Sequence, residues 1–129
     1  MPAPFLAVVV PAYNEAERIA ASLEKLVEYL DEQPYTWEIV VTDDGSTDAT
    51  AAIVTEAEAR RPEIRLIKLR HGGKGSAVRH GMTATDAEWR FLCDADLSMP
   101  PEQLERFLPG GAPPVEGIVI GSREAPGAC

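Results

Sequence analysis

The stretch Phe5-Leu6-Ala7-Val8-Val9-Val10-Pro11-Ala12-Tyr13-Asn14-Glu15 decides the fold. Phe5 to Val10 is a compact, Val-rich run closed by Pro11, the pattern of a buried strand. Asn14 is placed to cap a helix, with Glu17 three residues on as its reciprocal partner. Behind it Ile19, Leu23, Leu26, Val27 and Leu30 recur at helical spacing and share one face, and Asp31 to Pro34 ends the helix. Trp37 to Thr42 is again continuous rather than alternating through Ile39-Val40-Val41, as in a parallel strand covered on both sides.

The alternation continues outward. Ser46 or Thr47 is expected to cap a second helix, Thr50 to Arg60, which is rich in Ala and Glu, carries Ile53, Val54 and Ala57 and is stopped by Pro62. Ile64 to Leu69 reads as a third strand. Gly72, Gly73 and Gly75 make a turn before a short helix with Ala77, Val78 and Met82, and Trp89 to Cys93 reads as a fourth strand. Pro100 and Pro101 open a further helix through Leu108, Gly117 to Ile120 is a fifth strand, and Glu124 to Cys129 reads as coil. Strand and helix in strict turn imply an α/β fold with right-handed crossovers and a mostly parallel sheet. In such sheets ligands bind beyond the carboxyl ends of the strands. Every polar cluster of interest follows a strand: Pro11 to Glu15, Asp43 to Asp48, His71 to Ser76, Asp94 to Ser98, and Ser122 to Arg123. Five scattered segments therefore converge on one edge.

With 129 residues the chain is one ordinary domain. Its formal charge of -9 argues against a nucleic-acid partner, which needs clustered Lys and Arg. It also argues against simple adsorption to an anionic bilayer. The start MPAPFLAVVVP has no basic region and only a short apolar run, so neither a signal peptide nor a membrane span is expected, and a cytoplasmic location is the default expectation. Cys93 and Cys129 have no metal spacing, and Cys93 reads as a small core residue.

Asp94-Ala95-Asp96 carries two carboxylates at i and i+2, which point the same way on an extended segment. A hard cation, Mg2+ or Mn2+, would satisfy both and complete its shell with diphosphate oxygens. The plainer reading is a polar turn that caps the next helix. Asp43 and Asp44 adjoin a strand end and would repel each other without something to order them. A carboxylate there can accept from a nucleobase ring N–H or a ribose hydroxyl, although such residues also build turns. Tyr13 can lie against a base with its hydroxyl wet. Glu15 also suits the dipole of a helix start. Gly73-Lys74-Gly75-Ser76 has neither P-loop nor GxGxxG spacing, but Lys74 and the backbone amides can meet an anion. Arg123 can clamp a phosphate or lie exposed in a tail. His71 reads as a solvated loop residue and His80 as a helix-surface residue.

Together VVVPAYNEAERI, VVTDDGSTDAT, GGKGSAVRHGM, DADLSMPPEQL and IGSR, in this order, resemble family-2 GT-A glycosyltransferases. Among these they are most similar to the polyprenyl-phosphate sugar transferases of the dolichyl-phosphate glucosyltransferase branch. The resemblance implies a Rossmann-like GT-A fold with helices on both faces, truncated. Residues 1–123 would be the nucleotide-sugar-binding domain and 124–129 a tail. It implies that Pro11, Tyr13 and Glu15 line the nucleoside pocket and that Thr42 and Asp44 contact the base beside Asp43. Lys74 would stand near the nucleotide. Asp94, Ala95 and Asp96 would form the DxD, with Asp96 leading the metal ligands, and Arg123 would approach the diphosphate or sugar. His71 stands where many relatives have Asn. The family's catalytic domain continues past the GSR segment, whereas this sequence stops six residues after Arg123.

The implied activity is metal-dependent transfer of a sugar, with inversion, from a nucleoside-diphosphate sugar (UDP-glucose favoured) to an acceptor such as polyprenyl phosphate. Such an acceptor would bring the protein to the cytoplasmic face of a membrane. A donor-binding fragment, inactive without a C-terminal half, is the first rival. A nucleotidyltransferase is the second, and it ranks lower because PAYNE stands where that class carries a Gly-rich basic loop.

Overall fold

The computed structural model describes residues 4–93. Strand β1 (Leu6–Ala12) leads to helix α1 (Ile19–Asp31), β2 (Trp37–Asp43), α2 (Thr50–Arg60), β3 (Ile64–Lys68), α3 (Lys74–Thr83) and β4 (Trp89–Leu92). The four strands form one parallel sheet in the order β3-β2-β1-β4. Chain order reverses direction across β1, which pairs β2 on one side and β4 on the other. That makes the end of β1 the switch point at which doubly wound sheets open a crevice. This is the mostly parallel, helix-covered α/β architecture that the alternating sequence pattern implies.

The continuous apolar run of β1 is explained by its position, since every residue from Leu6 to Ala12 is buried. Its side chains alternate between two helical layers. Leu6, Val8, Val10 and Ala12 join Ile39 and Val41 of β2 in the core, against Ile19, Leu23, Leu26 and Leu30 of α1 and Val54 of α2. Each Leu buried there contributes roughly 1.5–3 kcal/mol. The other face is covered by α3, which approaches closely because Gly81 has no side chain. A Cβ built on Gly81 would lie 2.4 Å from Val9 Cγ1 and 3.1 Å from Thr42 Cγ2. Val27, Ile53 and Ala57 are partly buried and pack against the margin of this core.

Two local expectations are corrected. Helix α1 begins at Ile19, not beside Asn14, and no side chain caps it. Asn14 takes up a left-handed conformation with φ 52°, and its side-chain oxygen accepts from Thr47 N–H at 2.8 Å. It braces a neighbouring loop rather than opening a helix. Nor does Ser46 or Thr47 cap α2. Ser46 Oγ accepts from Asn14 N–H at 2.8 Å, and Asp48 accepts from Thr50 N–H at 2.9 Å in the first turn. The expected helix through Leu108 and the strand Gly117 to Ile120 lie outside the described residues.

Candidate functional site

Because the strands are parallel, the loops after β1, β2 and β3 emerge on one edge, and hydrogen bonds tie them together. Asp44 N–H donates to Ala12 O at 2.8 Å and Leu69 N–H donates to Asp43 O at 2.8 Å, carrying both ladders past the strand ends. The first two loops are then stitched by polar side chains. Beyond the two Asn14 contacts, Glu15 N–H donates to Thr50 Oγ1 at 2.9 Å and Ala16 N–H donates to Asp48 Oδ2 at 3.2 Å. The Thr50 hydroxyl also donates to Asp48 Oδ1. Those bonds hold the Asp48 carboxyl below its ordinary range, the Thr50 hydroxyl most of all, with burial opposing and the amides of Thr50 and Ala16 adding.

Asp44 is the centre of the edge, and only 3% of it is exposed. Its Oδ1 accepts from Gly72 N–H at 2.9 Å and its Oδ2 from Gly73 N–H at 3.1 Å. His71 Nδ1 lies 3.0 Å from Oδ2 and 3.1 Å from the Asp44 carbonyl oxygen. Both neighbours are acceptors, so Nδ1 carries the hydrogen. The Gly72 amide is the largest cause of a lowered Asp44 pKa. Burial pushes the other way, and the Gly73 amide and His71 add to the lowering. Asp44 is therefore a carboxylate at neutral pH. The His71 ring also lies against Tyr13, with centroids 4.6 Å apart and planes inclined by 32°. Tyr13 is otherwise 44% exposed, an aromatic face on an open rim.

Tyr13, Asp44 and His71, from three separate loops, thus form one cluster. The other expected residues take different places. Pro11 and Thr42 are register partners, buried in the sheet under α3. The Thr42 hydroxyl is buried without a hydrogen-bond partner. Asp43 is buried, and its Oδ1 is 3.4 Å from Ser46 N–H. Glu15 faces Arg18 at 3.8 Å, and Lys74 is the exposed first residue of α3. Asp94, Ala95, Asp96 and Arg123 lie outside the described residues. Asp94 directly follows Cys93, whose N–H donates to Val9 O at 2.9 Å. No group of three or more His, Cys, Asp or Glu able to hold a metal occurs among the described residues. Nor is any helix among them long and apolar enough to cross a membrane.

Sequence reasoning missed His71, which is exposed yet partnered on two sides. The signal was its position, in the loop after β3 on the same edge as Tyr13 and Asp44. His80 is on the helix surface as expected, with Nδ1 2.8 Å from Ser76 O.

The family model for glycosyl transferase family 2 matches residues 7–128. The chain belongs to glycosyl transferase family 2. A dolichyl-phosphate beta-glucosyltransferase of Trichomonas vaginalis is 42% identical to this family 2 chain over 125 residues, 89% of the chain and 37% of that protein. An undecaprenyl-phosphate 4-deoxy-4-formamido-L-arabinose transferase of Edwardsiella ictaluri is 36% identical, over 81% of the chain and 33% of its own length. Among solved structures, mannosyltransferase PcManGT from Pyrobaculum calidifontis, in complex with GDP-Man and Mn2+, superposes with a TM-score of 0.65 at 30% identity. It covers 81% of the chain and 31% of its own length. S. aureus TarS with UDP-GlcNAc superposes with the same TM-score, 0.65, at 27% identity, over 79% of the chain and 29% of its own length. The family 2 chain spans about a third of the length of the curated relatives it matches. Its parallel sheet is the Rossmann-like GT-A arrangement of these structures.

Proposed function

We propose that this family 2 chain carries the donor site of a glycosyltransferase that moves a sugar from a nucleoside-diphosphate sugar, UDP-glucose, to a polyprenyl phosphate. The observation that carries the reading is the Tyr13–His71–Asp44 cluster. An exposed aromatic face and an ionised carboxylate meet at the carboxyl edge of the sheet, the two features a nucleobase needs for stacking and for an N–H partner. The printed names of the relatives support the acceptor class, dolichyl phosphate in one and undecaprenyl phosphate in another. The nucleotide sugars bound in the neighbouring structures support the donor class.

In this reading Tyr13 and Glu15 line the nucleoside and Asp44 accepts from the base. Pro11, Thr42 and Asp43 shape the floor beneath it. Asp94 and Asp96 supply the carboxylate oxygens that a hard cation, Mg2+ or Mn2+, prefers, and Mn2+ accompanies GDP-Man in the mannosyltransferase neighbour. When bound, the cation neutralises charge on the departing diphosphate. Lys74 and Arg123 add positive charge near the phosphates. An oxygen of the acceptor phosphate attacks the anomeric carbon as the bond from that carbon to the diphosphate breaks, and UDP leaves with the electron pair. Attack opposite the leaving group inverts the anomeric centre. A phosphate oxygen is already anionic at neutral pH, so this nucleophile needs no general base. The reaction would take place at the cytoplasmic face of the membrane that holds the acceptor lipid.

A second reading, a donor-binding module inactive without further chain, is favoured by the coverage of only about a third of the relatives' length. One experiment separates the two. The chain is titrated with UDP and GDP with and without Mn2+, and transfer from UDP-glucose to a short polyprenyl phosphate is assayed alongside. Transfer supports the complete enzyme, and Mn2+-dependent binding without transfer supports the module. Absence of nucleotide binding rejects both.

A further inference from the structure

We propose that His71 sets the nucleotide preference of the donor site, by occupying an acceptor position on Asp44 that a guanine base would need and a uracil base does not. The inference rests on the donor-site reading above and adds to it a residue and a selection rule.

A carboxylate offers about four acceptor positions, two on each oxygen. The chain's own groups already cover three of those on Asp44. Gly72 N–H takes one on Oδ1 and Gly73 N–H one on Oδ2, while His71 Nδ1, which bonds the Asp44 carbonyl oxygen at 3.1 Å, stands 3.0 Å from Oδ2 and covers its second position. One position remains, on Oδ1. The Asp44 side chain is only 5% exposed, so little of it is open to a ligand. Uracil presents a single N–H, at N3, between two carbonyl acceptors. Guanine presents two adjacent donors, N1–H and the exocyclic amine, which pair with both oxygens of a carboxylate at once. Against Asp44 as held here, guanine keeps one donor unpaired in a desolvated place, and an unpaired buried polar group is costly.

The hold of His71 is two-sided. Its Nδ1 is shared between Oδ2 and the Asp44 carbonyl oxygen, and its ring is pressed on Tyr13 at 4.6 Å. Gly45 makes room for this approach. With φ +74°, a Cβ there would lie 2.7 Å from the His71 backbone nitrogen. Moving the imidazole as a whole off Asp44 gives up its ring contact with Tyr13 as well. The two glycine amides are backbone and present whatever side chain stands at position 71. The third donor is the one that substitution can remove.

The test is calorimetric titration of the full 129-residue chain with UDP, GDP and N3-methyl-UDP in saturating Mn2+, for the unsubstituted chain, His71→Asn, His71→Phe and His71→Ala. The unsubstituted chain is expected to bind UDP about tenfold or more tighter than GDP, and to lose about as much on N3-methylation. His71→Asn, whose amide still donates, keeps the preference. His71→Phe, which keeps a ring against Tyr13 but no donor, narrows the UDP-to-GDP ratio several-fold, and His71→Ala does the same. A ratio unchanged in both His71→Phe and His71→Ala overturns the proposal, as does an unsubstituted chain that binds GDP as tightly as UDP or ignores N3-methylation. In those cases nucleotide binding itself leaves the donor-site reading standing. An unsubstituted chain that binds no nucleotide removes that reading, and this inference with it.

Discussion

His71 Nδ1 stands 3.0 Å from Asp44 Oδ2, joining the loop after β3 to the loop after β2 across 27 residues of sequence. Through the face of the same ring it also reaches Tyr13, so three loops share one contact. The consequences fall on binding, on acid stability and on two glycines.

Tyr13→Ala removes the exposed ring and its contact with His71, and with them the surface a base would stack on. Nucleotide affinity is expected to fall about tenfold. The melting temperature should change little, because Tyr13 lies outside the core. Calorimetric titration with UDP beside a thermal melt checks both. Undiminished affinity would remove Tyr13 from the site.

Asp44 and Asp48 both have lowered pKa values in the folded chain. A depressed carboxylate contributes stability that is present above its unfolded value of about 3.9 and is lost as pH falls through the lower folded value. Thermal melts are therefore expected to be flat near neutral pH and to drop below about pH 4. Asp44→Asn should lower the neutral plateau and flatten the acid limb. An acid limb as steep in Asp44→Asn as in the unsubstituted chain contradicts the assignment.

Gly81→Ala places a methyl 2.4 Å from Val9 Cγ1, where α3 meets the sheet. Overpacking of this kind costs about 1–3 kcal/mol, and urea denaturation should show a lower midpoint. Stability unchanged within error would mean that α3 sits further from β1 than described.

Gly45→Ala forces a side chain into the left-handed region at φ +74° and against the His71 backbone, 2.7 Å away. Strain in such a position costs about 1–3 kcal/mol. Because the clash is with His71, UDP affinity should fall together with stability. Gly73 also has a positive φ, 97°, but a Cβ there meets nothing within 4 Å. Gly73→Ala therefore separates backbone strain from the clash in the thermal melt, and a loss of stability as large in Gly73→Ala as in Gly45→Ala would rule out the contact with His71 as its cause.

Asp96→Ala should remove the Mn2+ dependence of UDP binding while leaving the melting temperature unchanged. Binding that stays metal-dependent would show that Asp96 is not a ligand.

Much of the fold was legible in the order of residues. Runs such as Leu6 to Val10 and Ile39 to Val41 are apolar without alternation because both faces of those strands are covered, and that signal is local. The Ile19, Leu23, Leu26 and Leu30 stripe marks the inward face of α1 for the same reason. From strand–helix alternation alone it follows that the polar clusters gather on one edge, and the motif order points to the family. The partners of those polar groups were decided by tertiary structure. Asn14 and Thr47 could each satisfy a helix end from their own segment, and instead they satisfy one another, because the parallel pairing of β1 with β2 brings their loops within reach. His71 looked solvated for want of any nearby partner in sequence. Only the docking of the β3–α3 loop beside Asp44 and Tyr13 gave it two. A side-chain donor takes whichever acceptor the packed backbone places at 3 Å, and that distance is a property of the sheet, not of the neighbouring residues in the chain.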